Sequence, residues 1–258
     1  MQIIVSLYLL FWLYLCGLKI RQSLHIMQLE GYDSDKFLNW IENNKDRFHT
    51  RNDKIYTIVL IIISVILAVT SPIEKTIIYP LIYAGISIFF LIKNNLEKEE
   101  SKKPLVFTPR AKRLYGAAYF LLVFDLVLTI LIVRWITKDI LSYLPVWAGI
   151  LTVIYYFSSL YIYGANFISK PVEERINKKY YIQASEKIKK MNIYSIGITG
   201  SYGKTSTKYI SETILREKYK VLKTPESYNT PMGISKIINN ELSGEYDVFI
   251  AELGASKT

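Results

Sequence analysis

The chain has 258 residues, enough for two domains of ordinary size, and it is 51% hydrophobic while carrying a formal charge of +10. A soluble globule does not combine those features, whereas a membrane protein with basic flanks does. Lys and Arg cluster between apolar runs rather than along one aromatic-laced face, which argues against nucleic acid as a partner. The single cysteine, Cys16, excludes a disulfide framework or a cysteine metal site within one chain.

Five apolar runs follow in chain order, at roughly 2–18, 55–73, 76–92, 114–133 and 141–168. A bilayer core asks for about 20 apolar residues per helix, so each run is read as a span. The first has no basic start and no small-residue cleavage site, so it is read as retained rather than removed as a signal peptide. The third is short and contains Pro80. The fourth contains Asp125, whose carboxylate is expected to face the bundle and to bond to a Tyr or Ser. Between the first two runs, "YDSDKFLNWIENN" offers Ser34 or Asp35 as a helix cap, with Phe37, Trp40 and Ile41 at helical spacing. This is an amphipathic helix lying on the membrane surface or packed onto another part of the protein.

Basic residues set the expected orientation. Segments 19–54 and 93–113 each hold seven Lys or Arg, against Lys75, Arg134 and Lys138 on the opposite side. Both basic segments are therefore expected in the cytoplasm. Five spans then place the N-terminus outside and everything after about residue 169 inside, in a multi-pass protein of the plasma (inner) membrane with lipid as a partner.

Beyond the last run, Pro171 suits the first turn of a helix. Ile176, Tyr180, Ala184 and Ile188 recur at four-residue spacing, predicting an amphipathic connector over 170–192. From 193 the pattern changes to short strands alternating with helices. Strands are predicted at 193–199, 220–224 and 246–253. One helix is predicted in "TSTKYISETILREKY", with Tyr209, Ile210, Thr213 and Ile214 on one face, and another in "GISKIINNEL". Alternation of this kind implies a parallel sheet flanked by helices. The expected fold is an α-helical membrane bundle over 1–169 followed by an α/β unit that starts at 193.

The first strand runs into "GSYGKTS", made of Gly200, Ser201, Tyr202, Gly203, Lys204, Thr205 and Ser206. The two glycines permit a tight turn. The turn aims backbone N–H groups at phosphate where a helix begins. Lys204 can reach the β- and γ-phosphates of ATP, and Thr205 can offer its hydroxyl to Mg²⁺. The general phosphate-loop pattern, G-x-x-x-x-G-K-S/T, has a glycine where this chain has Ile198.

With that departure, "GITGSYGKTSTK" resembles the ATP-binding loop of the Mur ligases. "TPESYNTPMGIS", 224–235, is similar to a segment that follows the second strand in that family. "AELGAS", 251–256, is similar to its E-x-G-A strand end. The three ordered motifs cover about residues 193–258. Within the family they look most like the branch that joins D-alanyl-D-alanine to UDP-MurNAc-tripeptide.

The resemblance implies a central ATP-binding domain of the P-loop type and the use of ATP and Mg²⁺. It further implies an amide-forming activity, in which a carboxylate is activated as an acyl phosphate and attacked by an amine. The partners it implies are a muropeptide precursor and an amino-acid or dipeptide substrate. Lys204 would act on the β- and γ-phosphates as the catalytic residue, Thr205 and Glu252 would hold the metal, and Asn229 and Thr230 would line the substrate cleft. A Mur ligase needs more chain than follows here, so the sequence is expected to be a fragment that does not ligate alone. A membrane-associated P-loop kinase and a membrane scaffold with a vestigial or regulatory nucleotide site are the competing readings.

Overall fold

The computed structural model describes residues 2–70, 78–96, 103–137, 144–225 and 228–254. Lys75, Lys98, Lys102 and Lys138 of the orientation count, and Glu226, Ser227, Ala255 and Ser256 of the motifs, lie outside the described residues. Two compact units divide the chain at Lys170 and Pro171.

The first unit is helical throughout. Its elements are α1 (Gln2–Leu29), α2 (Ser34–Asn43), α3 (Lys45–Phe48), α4 (Arg51–Thr70), α5 (Ile78–Leu96), α6 (Pro109–Thr137), α7 (Leu144–Phe157) and a 3-10 turn, Ser158–Leu160. The start of α8 (Tyr161–Lys190) completes it. Apolar residues on α1 recur every three or four positions. Trp12, Cys16, Ile20, Leu24 and Met27 form a buried stripe, as helical periodicity requires. An answering stripe on α6 runs through Ala111, Leu114, Ala118 and Leu122. The two helices touch at Gly17, where an added Cβ would sit 1.7 Å from the Tyr119 hydroxyl. Tyr115 donates to the Gly17 carbonyl at 3.2 Å in the same crossing. The Trp12 indole N–H donates to the Leu151 carbonyl at 3.0 Å and joins α1 to α7. α4 packs on α7 and α5.

Large apolar side chains also cover the outside of this unit. Leu7 and Leu10 on α1, Ile62 and Ile66 on α4, and Phe120 and Trp135 on α6 are exposed. Such continuous apolar cover marks a surface that meets something other than water. Among the described residues, four segments are long and apolar enough to cross a membrane: Ile3–Leu29, Arg51–Val69, Pro109–Ile136 and Leu144–Lys190.

Several expectations need correction. Among the described residues the third run gives a shorter apolar stretch, Pro80–Lys93, beside the four segments of crossing length; the residues before Ile78, where that run begins, lie outside the described residues. The fifth run is not one helix. Ser158 and Ser159 are buried, and the Ser158 hydroxyl donates back to the Tyr155 carbonyl at 2.7 Å where the 3-10 turn interrupts the helix. Hydroxyl back-bonding of this kind bends helices. Pro171 does not open a helix but lies inside α8, at the expense of one backbone hydrogen bond. Lys19 and Arg21, counted as connection residues, lie within α1.

The "YDSDKFLNWIENN" segment is α2, and its cap is Asp33 rather than Ser34 or Asp35. The Asp33 carboxylate accepts from the backbone N–H of Asp35 at 3.0 Å and of Lys36 at 3.2 Å. Phe37 is fully buried in the bundle core, edge-on to Phe48 at 6.2 Å, so α2 packs on its own protein. Asp125 is hydrogen-bonded as expected, taking the Tyr161 hydroxyl at 2.5 Å.

Charge is buried where α1 meets α4. Lys19 and Asp53 are each almost inaccessible, with Lys19 Nζ 3.2 Å from Asp53 Oδ1. Asp53 also accepts from the Thr50 hydroxyl at 3.0 Å, and Lys19 lies 4.8 Å from the Tyr155 ring centre. Removing one partner of a buried pair strands the other, at about 3–5 kcal/mol. Asp53→Ala should therefore lower the unfolding free energy of the detergent-solubilised chain by about that amount, as read by denaturant titration. The double replacement Lys19→Met/Asp53→Leu should recover most of the loss. A stability unchanged by Asp53→Ala would contradict this account of the pair.

In the second unit, β1 (Tyr194–Ile198), α9 (Lys204–Arg216), β2 (Val221–Lys223), α10 (Pro231–Asn240) and β3 (Val248–Glu252) follow the C-terminal part of α8. The strands form one parallel sheet in the order β1-β3-β2. β3 is central and buried along its whole length. Its alternation sorts the faces. Phe249 and Ala251 join Ile237 and Ile238 of α10 and Ala184 of α8, while Val248 and Ile250 join Val221 and Leu215. Lys187 donates to the Asn239 carbonyl, and the Asn239 amide donates to the Tyr180 carbonyl, both at 3.0 Å, tying α8 to α10.

α9 inverts the usual pattern. Its buried residues are Lys208 and Glu212, one helical turn apart. Ile210 and Ile214, expected to share a face, do so pointing outward, at 60% and 66% exposure. The helix is held to the sheet by charge as well as by Leu215. Lys208 pairs with Glu252 of β3, and Glu212 pairs with Lys223 of β2 and with Arg216 at 2.9 Å.

Candidate functional site at the C-terminal edge of the sheet

Parallel strands send both connections to helices out of the same edge. Here that edge carries the turn from β1 into α9 and the segment from β2 into α10. In open α/β sheets this is where ligands bind.

The first turn is built by two glycines. Gly203 has φ 73° and Gly200 has φ 153°, conformations that a side chain disfavours. α9 begins at Lys204, directly after Gly203, whose position at the helix cap supplies no side-chain acceptor. The first N–H groups of a helix have no intrahelical acceptor, so this end keeps its partial positive charge available. Tyr202 is 97% exposed at the tip of the turn, and Ser201 and Ser206 are exposed beside it. Lys204 is half-buried and folds back to donate to the Gly200 carbonyl at 2.5 Å.

The second part is the end of β3. Glu252 is buried opposite Ile198, the last residue of β1. Its backbone N–H donates to the Thr224 hydroxyl at 3.1 Å, and the Thr224 N–H donates to Ile250 at 2.9 Å, which anchors the strand end to the residue after β2. The Glu252 carboxylate receives Lys208 Nζ at 3.0 Å and the Thr205 hydroxyl at 3.1 Å, both on Oε2. The Lys208 hydrogen bond holds the Glu252 carboxyl below the ordinary glutamate range. Burial opposes it, and Thr205 adds to it.

The third part is the start of α10. Thr230 is its cap and accepts from the Gly233 N–H at 3.1 Å, with Pro231 in the first turn. The carbonyl of Asn229 takes the Gly254 N–H at 2.7 Å. A Cβ on Gly254 would lie 2.9 Å from that carbonyl, so glycine is the residue that allows the approach. Asn229 also lines a groove of about 330 Å³ with Tyr181, Ala184, Ile188, Ile234 and Leu253.

The structure thus brings Thr205 against Glu252 and places Asn229 against Gly254, two residues beyond Glu252. Two members of this cluster escape the sequence reading. Lys208 stands inside the quoted "GITGSYGKTSTK" one turn after Lys204, and Thr224 opens "TPESYNTPMGIS". The available signal for Lys208 is its spacing, which puts it on the same helix face as Lys204.

The donor set fits a magnesium nucleotide. A hydroxyl and a carboxylate, both hard oxygen ligands, stand in contact beside a glycine turn that opens a helix. Among the described residues no group of three or more His, Cys, Asp or Glu could hold a metal by itself. Mg²⁺ is usually bound through one or two carboxylates, with phosphates and water completing the shell.

Fold and site together define a class: a parallel α/β unit whose glycine turn and strand-end carboxylate share one edge. Residues 198–258, about the last quarter of the chain, match the Mur ligase middle domain. The chain is similar to three curated UDP-N-acetylmuramoyl-tripeptide–D-alanyl-D-alanine ligases. That of Treponema pallidum is 37% identical over 62 residues, 24% of this chain and 13% of the relative. That of Borreliella burgdorferi is 43% identical over 74 residues, 28% of this chain and 16% of the relative. That of Synechocystis is 41% identical over 58 residues, 22% of this chain and 13% of the relative. The chain therefore spans well under a fifth of the length of these relatives. No solved structure matches it significantly.

The lowered Glu252 carboxyl has a pH signature. A carboxylate whose folded pKa is depressed contributes stability that is fully present above its unfolded value, about 4.3 for glutamate. That stability is lost as pH falls through the lower folded value. In metal-free buffer, wild-type protein should exceed Glu252→Gln in stability at neutral pH, and the gap should close below about pH 4. Melting curves of both proteins across pH check this; a gap that stays constant into acid would contradict it.

Proposed function

We propose that the Gly200–Ser206 turn is a P-loop that binds the phosphates of ATP, and that the whole protein is an ATP-dependent amide ligase of peptidoglycan precursor synthesis. The observation that carries the reading is the Thr205–Glu252 contact at the start of α9, in a segment that matches the Mur ligase middle domain. The turn's N–H groups and the end of α9 would receive the phosphates, with Lys204 swinging from the Gly200 carbonyl to the β- and γ-phosphates. Thr205 and Glu252 would hold Mg²⁺. Magnesium-bound ATP supplies the phosphoryl group that activates a carboxylate, and the chain's own part is positioning and charge neutralisation. Asn229 and Thr230 would border the cleft in which the carboxylate substrate lies. The names of the relatives favour UDP-MurNAc-tripeptide as that substrate and D-alanyl-D-alanine as the amine.

The helical unit is proposed to hold this site at the inner face of the plasma membrane, with residues 1–169 as the membrane region, 170–192 as the connector and 193–258 as the start of the ATP-binding domain. The support is four segments of crossing length and the basic residues of 93–113. With α5 also crossing, the N-terminus lies outside. A reporter fused after residue 175 should then read cytoplasmic and one at the N-terminus should not; an external reading at 175 would remove the site from ATP.

Lys204→Ala should weaken ATP binding by the detergent-solubilised protein at least about tenfold, because a charged hydrogen bond to phosphate is worth about 1.5–3 kcal/mol. Equilibrium binding of a fluorescent ATP analogue checks this, and unchanged affinity would make the turn structural. The complete gene product should consume ATP only when given both a carboxylate-bearing muropeptide and an amine such as D-alanyl-D-alanine. Phosphoryl transfer to a lipid without amide formation would replace this reading with that of a kinase.

A further inference from the structure

Lys208 is a charged residue to which the proposed phosphate chemistry gives no part. It lies one turn beyond Lys204 on α9 and is fully buried. A buried ammonium group is unfavourable unless a partner compensates it, and here the partner is the Glu252 carboxylate, 3.0 Å away. Two donors, Lys208 Nζ and the Thr205 hydroxyl, converge on one oxygen, Oε2. The terminal torsion of a glutamate is otherwise broad, and two donors on one oxygen narrow it. Among the described residues, none donates to the other oxygen, Oε1.

We infer that Lys208 is the positioning residue of the metal site: it holds Glu252 Oε2 so that Oε1 is presented to the divalent cation of a nucleotide bound at the Gly200–Ser206 turn. The inference rests on the nucleotide reading above. It assigns different work to two lysines on one helix face. Lys204 serves phosphate, and Lys208 serves the carboxylate without touching the nucleotide. The Lys208 charge also opposes the cation, so its removal has two effects of opposite sign. Orientation dominates, because Mg²⁺ requires near-ideal octahedral geometry at about 2.0–2.1 Å and a carboxylate freed from Lys208 can turn away.

The test measures binding of a fluorescent ATP analogue by the full chain in detergent as Mg²⁺ is titrated, without reference to turnover. Lys208→Met should raise the Mg²⁺ concentration for half-maximal effect by about tenfold or more, the range seen when residues orienting a metal ligand are removed. Its nucleotide affinity without Mg²⁺ should stay at the wild-type value. Lys208→Arg should restore most of the Mg²⁺ response. In a Glu252→Gln background, Lys208→Met should produce no further shift, because the residue it acts through is gone. Should Lys208→Met fail to fold, Lys208→Gln is read against Lys208→Arg in the same titration, with the shift expected in the first and not in the second. An unchanged or tightened Mg²⁺ response in a folded variant overturns the inference, as does a full further shift in the Glu252→Gln background. Absence of Mg²⁺-dependent nucleotide binding in the wild-type protein would instead remove the nucleotide reading itself.

Discussion

The second unit turns on one buried ion pair, Lys208 to Glu252. The pair joins the helix that follows the glycine turn to the end of the central strand, so the positions of turn and carboxylate depend on each other. Beside these charges, Leu215 near the end of α9 packs on Val221, Val248 and Ile250 of the sheet. The outward face of the helix carries Ile210 and Ile214, and the side against the sheet is otherwise charged. The second tie, Glu212 to Lys223 on β2, repeats the arrangement one turn further along with the signs reversed. Hydrophobic contact would tolerate sliding of the helix along the sheet. Two hydrogen-bonded charge pairs of opposite polarity fix its register, because a shift of one turn would bring Glu212 toward Glu252 and leave Lys208 without a partner.

Buried charge organises the helical unit as well. Lys19 and Asp53 join α1 to α4 where both helices also meet Tyr155 of α7. In each unit the buried pair adds little net stability over a well-packed apolar replacement. What it adds is a penalty for misplacement, since either partner alone is costly. The apolar stripes of α1 and α6 pack closely, with Gly17 at their crossing, and the polar pairs select among the ways in which the stripes can meet.

The sequence pattern was legible where the signal is local. The order of strand, turn and helix from 193 onward follows from β-branched runs and glycines, and the three strands and two helices appear where periodicity puts them. The motifs that the resemblance singled out lie together in the structure: Thr205 meets Glu252, and Asn229 meets Gly254. What failed depends on partners far away in the chain. Lys208 carries no local signal of its partner, since β3 brings Glu252 to it across 44 positions. Lys19 reads as a loop residue until Asp53 is found to bury it. Pro171 reads as a helix start, although α8 passes through it because the residues on both sides favour helix. The outward face of α9 was not legible at all, since apolar periodicity marks a face without saying whether charge has taken the inner one.

The central claim is that the glycine turn, the start of α9 and the end of β3 act as one magnesium–nucleotide site. Hydrogen–deuterium exchange of the full chain, with and without magnesium–ATP, tests it most directly by reporting backbone N–H groups one segment at a time. The account predicts slowed exchange over residues 200–206 and 252–254, with the strand β2 and the helices α1 to α6 unchanged. Unaltered exchange over 200–206 at saturating nucleotide, or protection confined to another segment, would contradict it.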